Sequence, residues 1–283
     1  MPPIIVTLTT VPERFTGTHS ETEYGMISNI DSLLNQEFDG EYEIHLNVPT
    51  ALRYTGEVYE FPEWLLERER DFPTKLKIFR GVEDMGPLTK LYHTVQRVTD
   101  PEAIIIVVDD DLVYHPKMVE EQVNNQEKEE GCVSGYDGTR MEDPYSLTDP
   151  PDIRTHFCVS VFKDCHVNFL QHYKTVSYRR KFFGEDFNSF IAEFVDMETM
   201  AGWNDDITVG AYMKRSGYKA MVRAYAGEEQ LITIEQWEEK GGVLTFPVLR
   251  HIARGGEEGC YRYRRDKLED QQYMEFVKRG YLK

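Results

Sequence analysis

The hydrophobic pattern breaks the chain into short apolar runs separated by amphipathic stretches. Residues 4–8 form an apolar strand that ends at Thr9 and Thr10, and Met26, Ile30, Leu33 and Leu34 follow at helical spacing. Residues 42–48 alternate and predict a second strand. The long connection 49–71 contains a helical piece around 64–70, residues 75–79 predict a third strand, 87–98 a helix, and 103–108 a further strand. Strands alternating with helices predict a doubly wound, mostly parallel sheet over about the first half of the chain.

In the second half, His115-Pro116 opens a helix to about residue 128, and 131–135 predicts a short strand. Residues 136–155 are rich in Asp, Pro, Gly and Thr and read as a loop and candidate flap. A strand at 157–162 and helices at 163–173, 186–194 and 204–216 complete the pattern. Asn204 is placed to cap the last helix, Asp205 and Asp206 suit its positive end, and Gly217 suits its termination. With no internal repeat and no low-complexity linker, residues 1–283 read as one domain.

Charge narrows the function classes. A formal net charge of −18 over 283 residues opposes binding to nucleic acid or an anionic membrane, and the basic clusters at 178–181 and 261–267 are short and flanked by acid. They read as local anion sites or solvated faces. Cys132, Cys158, Cys165 and Cys260 lack CxxC spacing and imply reduced thiols rather than a zinc site or disulfide framework. The N-terminal residues lack the basic and long apolar regions of a signal peptide, and no segment has the length of a membrane span, so the expected location is cytoplasmic.

Candidate chemistry begins at Asp109, Asp110 and Asp111. Ile104, Ile105, Ile106, Val107 and Val108 are all β-branched without polar alternation, which predicts a strand covered on both faces. It delivers three acids to the carboxyl edge, where open α/β sheets bind ligands. Adjacent like charges raise one another's pKa unless a cation joins them, and magnesium or manganese favours one or two carboxylates with phosphate oxygens. Asp111 is the first choice of metal ligand, with Asp109 nearer a ribose or sugar; three acids in a solvated turn are the ordinary alternative.

Three further groups bear on this edge. Asp84, Gly86, Pro87 and Lys90 mark a loop entering a helix, with free N–H groups and a cation suited to phosphate, or simply a helix start with an exposed lysine. Asp205 and Asp206, ionised at a helix N-terminus, suit a general base or an anion that steadies positive charge, or serve only as dipole partners. His251 is a core histidine or an imidazole that fills a vacant metal position, and Arg250 and Arg254 lie near enough in sequence to offset diphosphate charge.

In this order the chain resembles nucleotide-sugar glycosyltransferases of the GT-A fold. The matching landmarks are the first strand running into Thr9, Thr10, Val11, Pro12, Glu13 and Arg14, the DxD-type acids at 109–111, and a late acidic pair opening a helix that ends in Gly217-Tyr218. Val-Asp-Asp-Asp and Asn-Asp-Asp-Ile look like exostosin-type domains, and Gly-Pro-Leu-Thr-Lys-Leu is similar to small microbial and algal-virus enzymes. The resemblance implies a GT-A sheet with helices on both faces, a nucleotide-sugar half at about 1–115 and an acceptor half at about 116–283. It implies manganese (or magnesium) and a UDP-sugar donor held by the strand-end acids, a glycan hydroxyl as acceptor, Asp206 in the catalytic register with Asp205 beside it, and His251 as a C-terminal metal ligand. Phe183-Gly184-Glu185-Asp186 departs from the pattern and offers Asp186 as a rival carboxylate. Exostosin-type enzymes retain anomeric configuration, whereas Asp206 as a base implies inversion. A metal-dependent phosphohydrolase and a non-catalytic sugar-nucleotide-binding module are the other readings of the same acids.

Overall fold

A computed structural model describes residues 1–15, 25–53, 55–139, 164–194, 204–224, the backbone of 248–251, and positions 276, 279 and 281. Its first half alternates as the pattern predicts: β1 (Ile4–Thr9), α1 (Pro12–Phe15), α2 (Gly25–Leu34), β2 (Glu43–Pro49), α3 (Glu63–Asp71), β3 (Leu76–Val82), α4 (Thr89–Arg97) and β4 (Ile104–Val107). Then come β5 (Leu112–Tyr114), α5 (Met118–Lys128), β6 (Cys132–Gly135), β7 (Gly138–Thr139), β8 (Cys165–Val167), β9 (Phe169–Leu170), β10 (Val176–Arg179), α6 (Phe187–Phe194), α7 (Asp205–Arg215), β11 (Lys219–Val222) and β12 (Val248–His251).

Eight strands form one sheet in the order β3-β2-β1-β4-β10-β6-β11-β8. β1 pairs in parallel with β2 and β4, and β2 with β3; β10 runs antiparallel between β4 and β6, and β8 runs antiparallel to β11. The sheet is therefore mostly parallel and continuous across the two halves. Side chains alternate across β4: Ile104, Ile106 and Val108 pack with Met26, Ile30 and Met118 on one face, and Ile105 and Val107 with Leu91, Val95 and Val209 on the other. Covering both faces explains why this strand has no polar position. The order 3-2-1-4 reverses direction between β1 and β4, and the crevice beyond their carboxyl ends receives Thr9, Thr10 and the three acids.

Several expectations change. Residues 163–173 read as a helix, yet the described part forms β8, β9 and a 3-10 turn at His172–Lys174, because pairing with β11 and β7 overrides the local periodicity. In the basic cluster beginning at Tyr178, read as an anion site or a solvated face, Tyr178 is buried in β10 while Arg179 and Lys181 bond Glu102 at the surface. Antiparallel pairing of Val176–Arg179 with β4 makes this segment a central strand. The strand expected at 157–162, together with Cys158, Cys260 and Arg254, lies outside the described residues. Cys132 is a free, buried thiol. Among the described residues no helix is long and apolar enough to cross a membrane.

Candidate active site

The turn after β4 is stapled from the opposite side of the sheet edge. Asn29, on the buried face of α2, donates through Nδ2 to the carbonyl of Asp109 at 2.9 Å and to that of Leu112 at 2.7 Å. The Asp109 N–H donates to Tyr114 Oη at 2.9 Å, and that hydroxyl reaches the Tyr173 carbonyl at 3.1 Å. The backbone is thus pinned on both sides of the acids, leaving three carboxylates to find partners.

Arg14, from α1, bonds Asp110 and lies 3.2 Å from Asp111 Oδ2. Burial works against its charge, but Asp110, Asp111 and Asp109 hold its pKa above the usual guanidinium value. Burial also pushes the Asp111 carboxyl up to about 7, with Arg14 opposing and Asp110 and Asp109 adding to the rise. Asp110 Oδ2 is buried without a hydrogen-bond partner.

Lys90 enters from the first turn of α4. Its carbonyl accepts from Thr7 Oγ1 and, at 3.1 Å, from Asn47 Nδ2, which fixes the start of the helix against β1 and β2. The ammonium lies 2.6 Å from Asp109 Oδ1 and 2.9 Å from Asp205 Oδ2. The lysine is therefore buried, unlike the exposed residue of an ordinary helix start, and bridges the two acidic groups. Burial opposes the charge, and Asp109, Asp205 and Asp206 hold the Lys90 pKa above its ordinary value.

The second group is at the start of α7. Asn204 caps the helix through Oδ1, which accepts from the Ile207 N–H at 2.9 Å, and Gly217 follows it with φ 85°. Asp205 is buried, and His172 Nδ1 lies 2.7 Å from its Oδ2. The same nitrogen lies 2.9 Å from Asp206 Oδ1, which also accepts the His172 backbone N–H at 2.9 Å. Burial alone would favour protonation of Asp205, but Lys90 and His172 hold its pKa well below the usual carboxylate range. Burial likewise disfavours a charged His172, yet Asp205 and Asp206 raise its pKa to about 9.

Other expected residues are occupied differently. Asp84 accepts the Arg53 and Gly86 N–H groups, each at 2.8 Å, and so shapes the loop before α4. The Thr9 hydroxyl donates to the Asn47 carbonyl at 2.8 Å and that of Thr10 to the Val11 carbonyl at 3.4 Å, so both are committed within the chain. Asp186 accepts from Tyr212 Oη at 2.8 Å and pairs with Arg215, toward the far end of α7 from Asp206. On register, β12 returns beside β5 with His251 opposite Leu112, the residue after Asp111.

No protein-family model matches the chain, and no curated protein matches its sequence. Among solved structures, a mannosyltransferase from Pyrobaculum calidifontis in complex with GDP-Man and Mn2+ matches with TM-score 0.51 and 12% identity, over 98% of this chain and 64% of that one. The fold is GT-A-like. This chain spans less than two thirds of that mannosyltransferase's length. Lower scores go to GalNAc-T7 with UDP, GalNAc and Mn2+ (0.47, 11% identity, 80% and 44% coverage) and to 4-diphosphocytidyl-2C-methyl-D-erythritol synthase from Anaerococcus prevotii (0.46, 10%, 86% and 98%).

Among the described residues one group at this sheet edge brings three possible ligand atoms close together; the strand-end acids do not, and the two differ in chemistry. His172, Asp205 and Asp206 bring ligand atoms within 4.8 Å of one another, but Lys90 and a protonated imidazole already neutralise them. The strand-end acids retain an unbonded buried oxygen and a carboxyl pushed toward neutrality, so they fit a divalent cation. The sequence reading missed Asn29, Tyr114 and His172. Asn29 carried a signal, since it sits among Met26, Ile30 and Leu33 on the apolar face of α2; His172 carried none, being a lone histidine in an ambiguous stretch.

Proposed function

We propose that the chain is a metal-dependent glycosyltransferase that moves a sugar from a UDP-sugar to a hydroxyl of a glycan. The observation that carries this reading is the Lys90 bridge, with 2.6 Å to Asp109 and 2.9 Å to Asp205, which joins a cation-seeking acid cluster to an ionised helix-start pair at one sheet edge. The GT-A-like fold and the Mn2+ and GDP-Man of the matched mannosyltransferase support it.

In this mechanism Asp111, with Asp110, would hold the metal, and His251 would be a further ligand. When bound, a divalent cation offsets charge growing on the leaving diphosphate. Arg14 orients Asp110 and Asp111 through its two contacts, and Arg254 contributes positive charge near the leaving group. Thr9, Thr10 and Asp84 shape the nucleotide cradle through backbone they fix, and Asp109 faces the ribose or sugar. Asp206 either takes the acceptor hydroxyl proton, giving inversion, or orients that hydroxyl and steadies the cationic transition state, as retention requires. All 283 residues act as one domain, with donor and acceptor halves meeting near residue 115.

A panel of UDP- and GDP-sugars with and without Mn2+, read first by thermal shift and then by donor turnover with glycan acceptors, tests the proposal. Metal-dependent stabilisation by a UDP-sugar and transfer to an acceptor are expected. Metal-independent binding, or diphosphate hydrolysis unaffected by any acceptor, would refute it.

A further inference from the structure

His172 takes no part in the transfer chemistry, yet its imidazole is buried among charged groups. Its ring is 1% exposed, Nδ1 is shared between Asp205 Oδ2 and Asp206 Oδ1, and Nε2 lies 2.8 Å from Tyr178 Oη. Burial, with Asp206 and Asp205 nearby, holds the Tyr178 phenol protonated, so its oxygen is free to accept Nε2–H while Nδ1–H serves the carboxylates. Lys90 approaches the same Asp205 oxygen from the donor side.

The consequence is a division of labour within the acidic pair. Asp205 Oδ2 faces two cations and its side chain is 8% exposed, so it is a weak base with little access to a ligand. The Asp206 side chain is 21% exposed, and its Oδ1 is gripped by both the ring and the backbone N–H of His172. Among the described residues, the other Asp206 oxygen has no hydrogen-bond donor. A buried ion cluster of this kind is a poor device for stability, since apolar filler of equal volume is often as good. Its value lies in orientation.

We infer that His172 is a positioning residue that, with Lys90, locks Asp205 as a structural anion and clamps Oδ1 of Asp206, so that Oδ2 of Asp206 is the atom offered to the acceptor hydroxyl. This rests on the transfer reading above. The full chain with Mn2+ and a UDP-sugar tests it through two substitutions. His172→Asn keeps an N–H near the Nδ1 position, whereas His172→Phe keeps volume without a donor. With displacement of about 1 Å able to cost on the order of 10²-fold, His172→Phe is expected to lower kcat by about that factor with donor KM unchanged, and His172→Asn to recover it to within about tenfold. Equal losses in both variants, a change confined to KM, or normal kcat in His172→Phe would overturn the inference.

A second measurement is independent of turnover. Nitrogen-15 spectra of the wild-type histidine rings at pH 7.5 should show one imidazolium, protonated on both nitrogens, that shifts in Asp205→Asn. A His172 ring without a proton on Nδ1 would overturn the clamp. If the wild type turns over no nucleotide sugar, the transfer reading falls, and the ring spectrum still decides whether His172 holds the pair.

Discussion

Asp109, Asp110 and Asp111 leave β4 with Arg14 against two of them and Lys90 against the third, and one buried oxygen of Asp110 remains unbonded. Asp205 and Asp206 open α7 with Lys90 and His172 already in contact. Both groups are acidic, largely buried and at the same sheet edge, but their charge is balanced from different sources. In the first, burial and neighbouring acids push Asp111 up to about 7, which leaves room for an external cation. In the second, Lys90 and His172 depress Asp205 against the effect of its burial, so that carboxylate is balanced before any ligand arrives. On the proposed function, one cluster would be completed by loading, whereas the other is preorganised by folding.

The largest expected effect separates these states. Asp111→Ala should eliminate Mn2+-dependent binding of UDP and bring transfer to background; stabilisation by ligand at a hundredfold excess over Kd, about 2.7 kcal/mol, should vanish from thermal shifts. Unchanged calorimetric affinity for UDP with Mn2+ would remove Asp111 from the metal site. Asp206→Asn comes next, with a loss on the order of 10²-fold or more in transfer rate and intact donor affinity. Near-normal turnover in that variant would end its assignment as base or orienting carboxylate.

A pH experiment addresses the internal cation. The folded-state pKa of His172, about 9, lies above its ordinary 6.5, so the native state binds the proton more tightly than the unfolded chain does. Its contribution, at most about 3 kcal/mol, is complete below pH 6.5 and is lost as pH rises through 9. The stability difference between wild type and His172→Asn should therefore shrink between pH 6 and 10, as measured by denaturant unfolding; a pH-independent difference would contradict the ion cluster. The part of the Asp205 shift that comes from His172 is the same attraction seen from its partner and is not counted again.

The smallest effect is expected at Asp186. Its contacts with Tyr212 and Arg215 fasten α6 to the later turns of α7, and its carboxylate is 60% exposed. Asp186→Asn should cost about 1 kcal/mol or less in stability and change kcat/KM less than about twofold. A loss comparable to that of Asp206→Asn would move the key carboxylate from the buried pair to this exposed one.

The clearest elements in the sequence were those whose stability is local or whose burial is extreme. The unbroken β-branched run into Asp109 marked a doubly covered strand, and Asn204 with Gly217 marked both ends of α7. The first β/α units were legible because each combines a strand-like run with an adjacent helical period. β10 was not, because Val-Ser-Tyr-Arg becomes a central strand only through antiparallel pairing with β4 and β6. Residues 163–173 were misread as helix for the same reason: their partners, β11 and β7, are distant in sequence.

By itself, then, the sequence determined a mostly parallel α/β sheet, the delivery of three acids to the end of one strand, and an acidic pair at the start of a capped helix. These follow from periodicity, side-chain shape and capping, which act within a few residues. Only the tertiary structure decided how those acids are neutralised. It turned Lys90 from an exposed cation into a buried bridge, gave Arg14 to Asp110 and Asp111, and brought His172 beneath a helix 33 residues further along the chain. Charge balance at a buried site depends on distances of a few ångströms between segments remote in sequence, and packing of the sheet and its helices sets those distances.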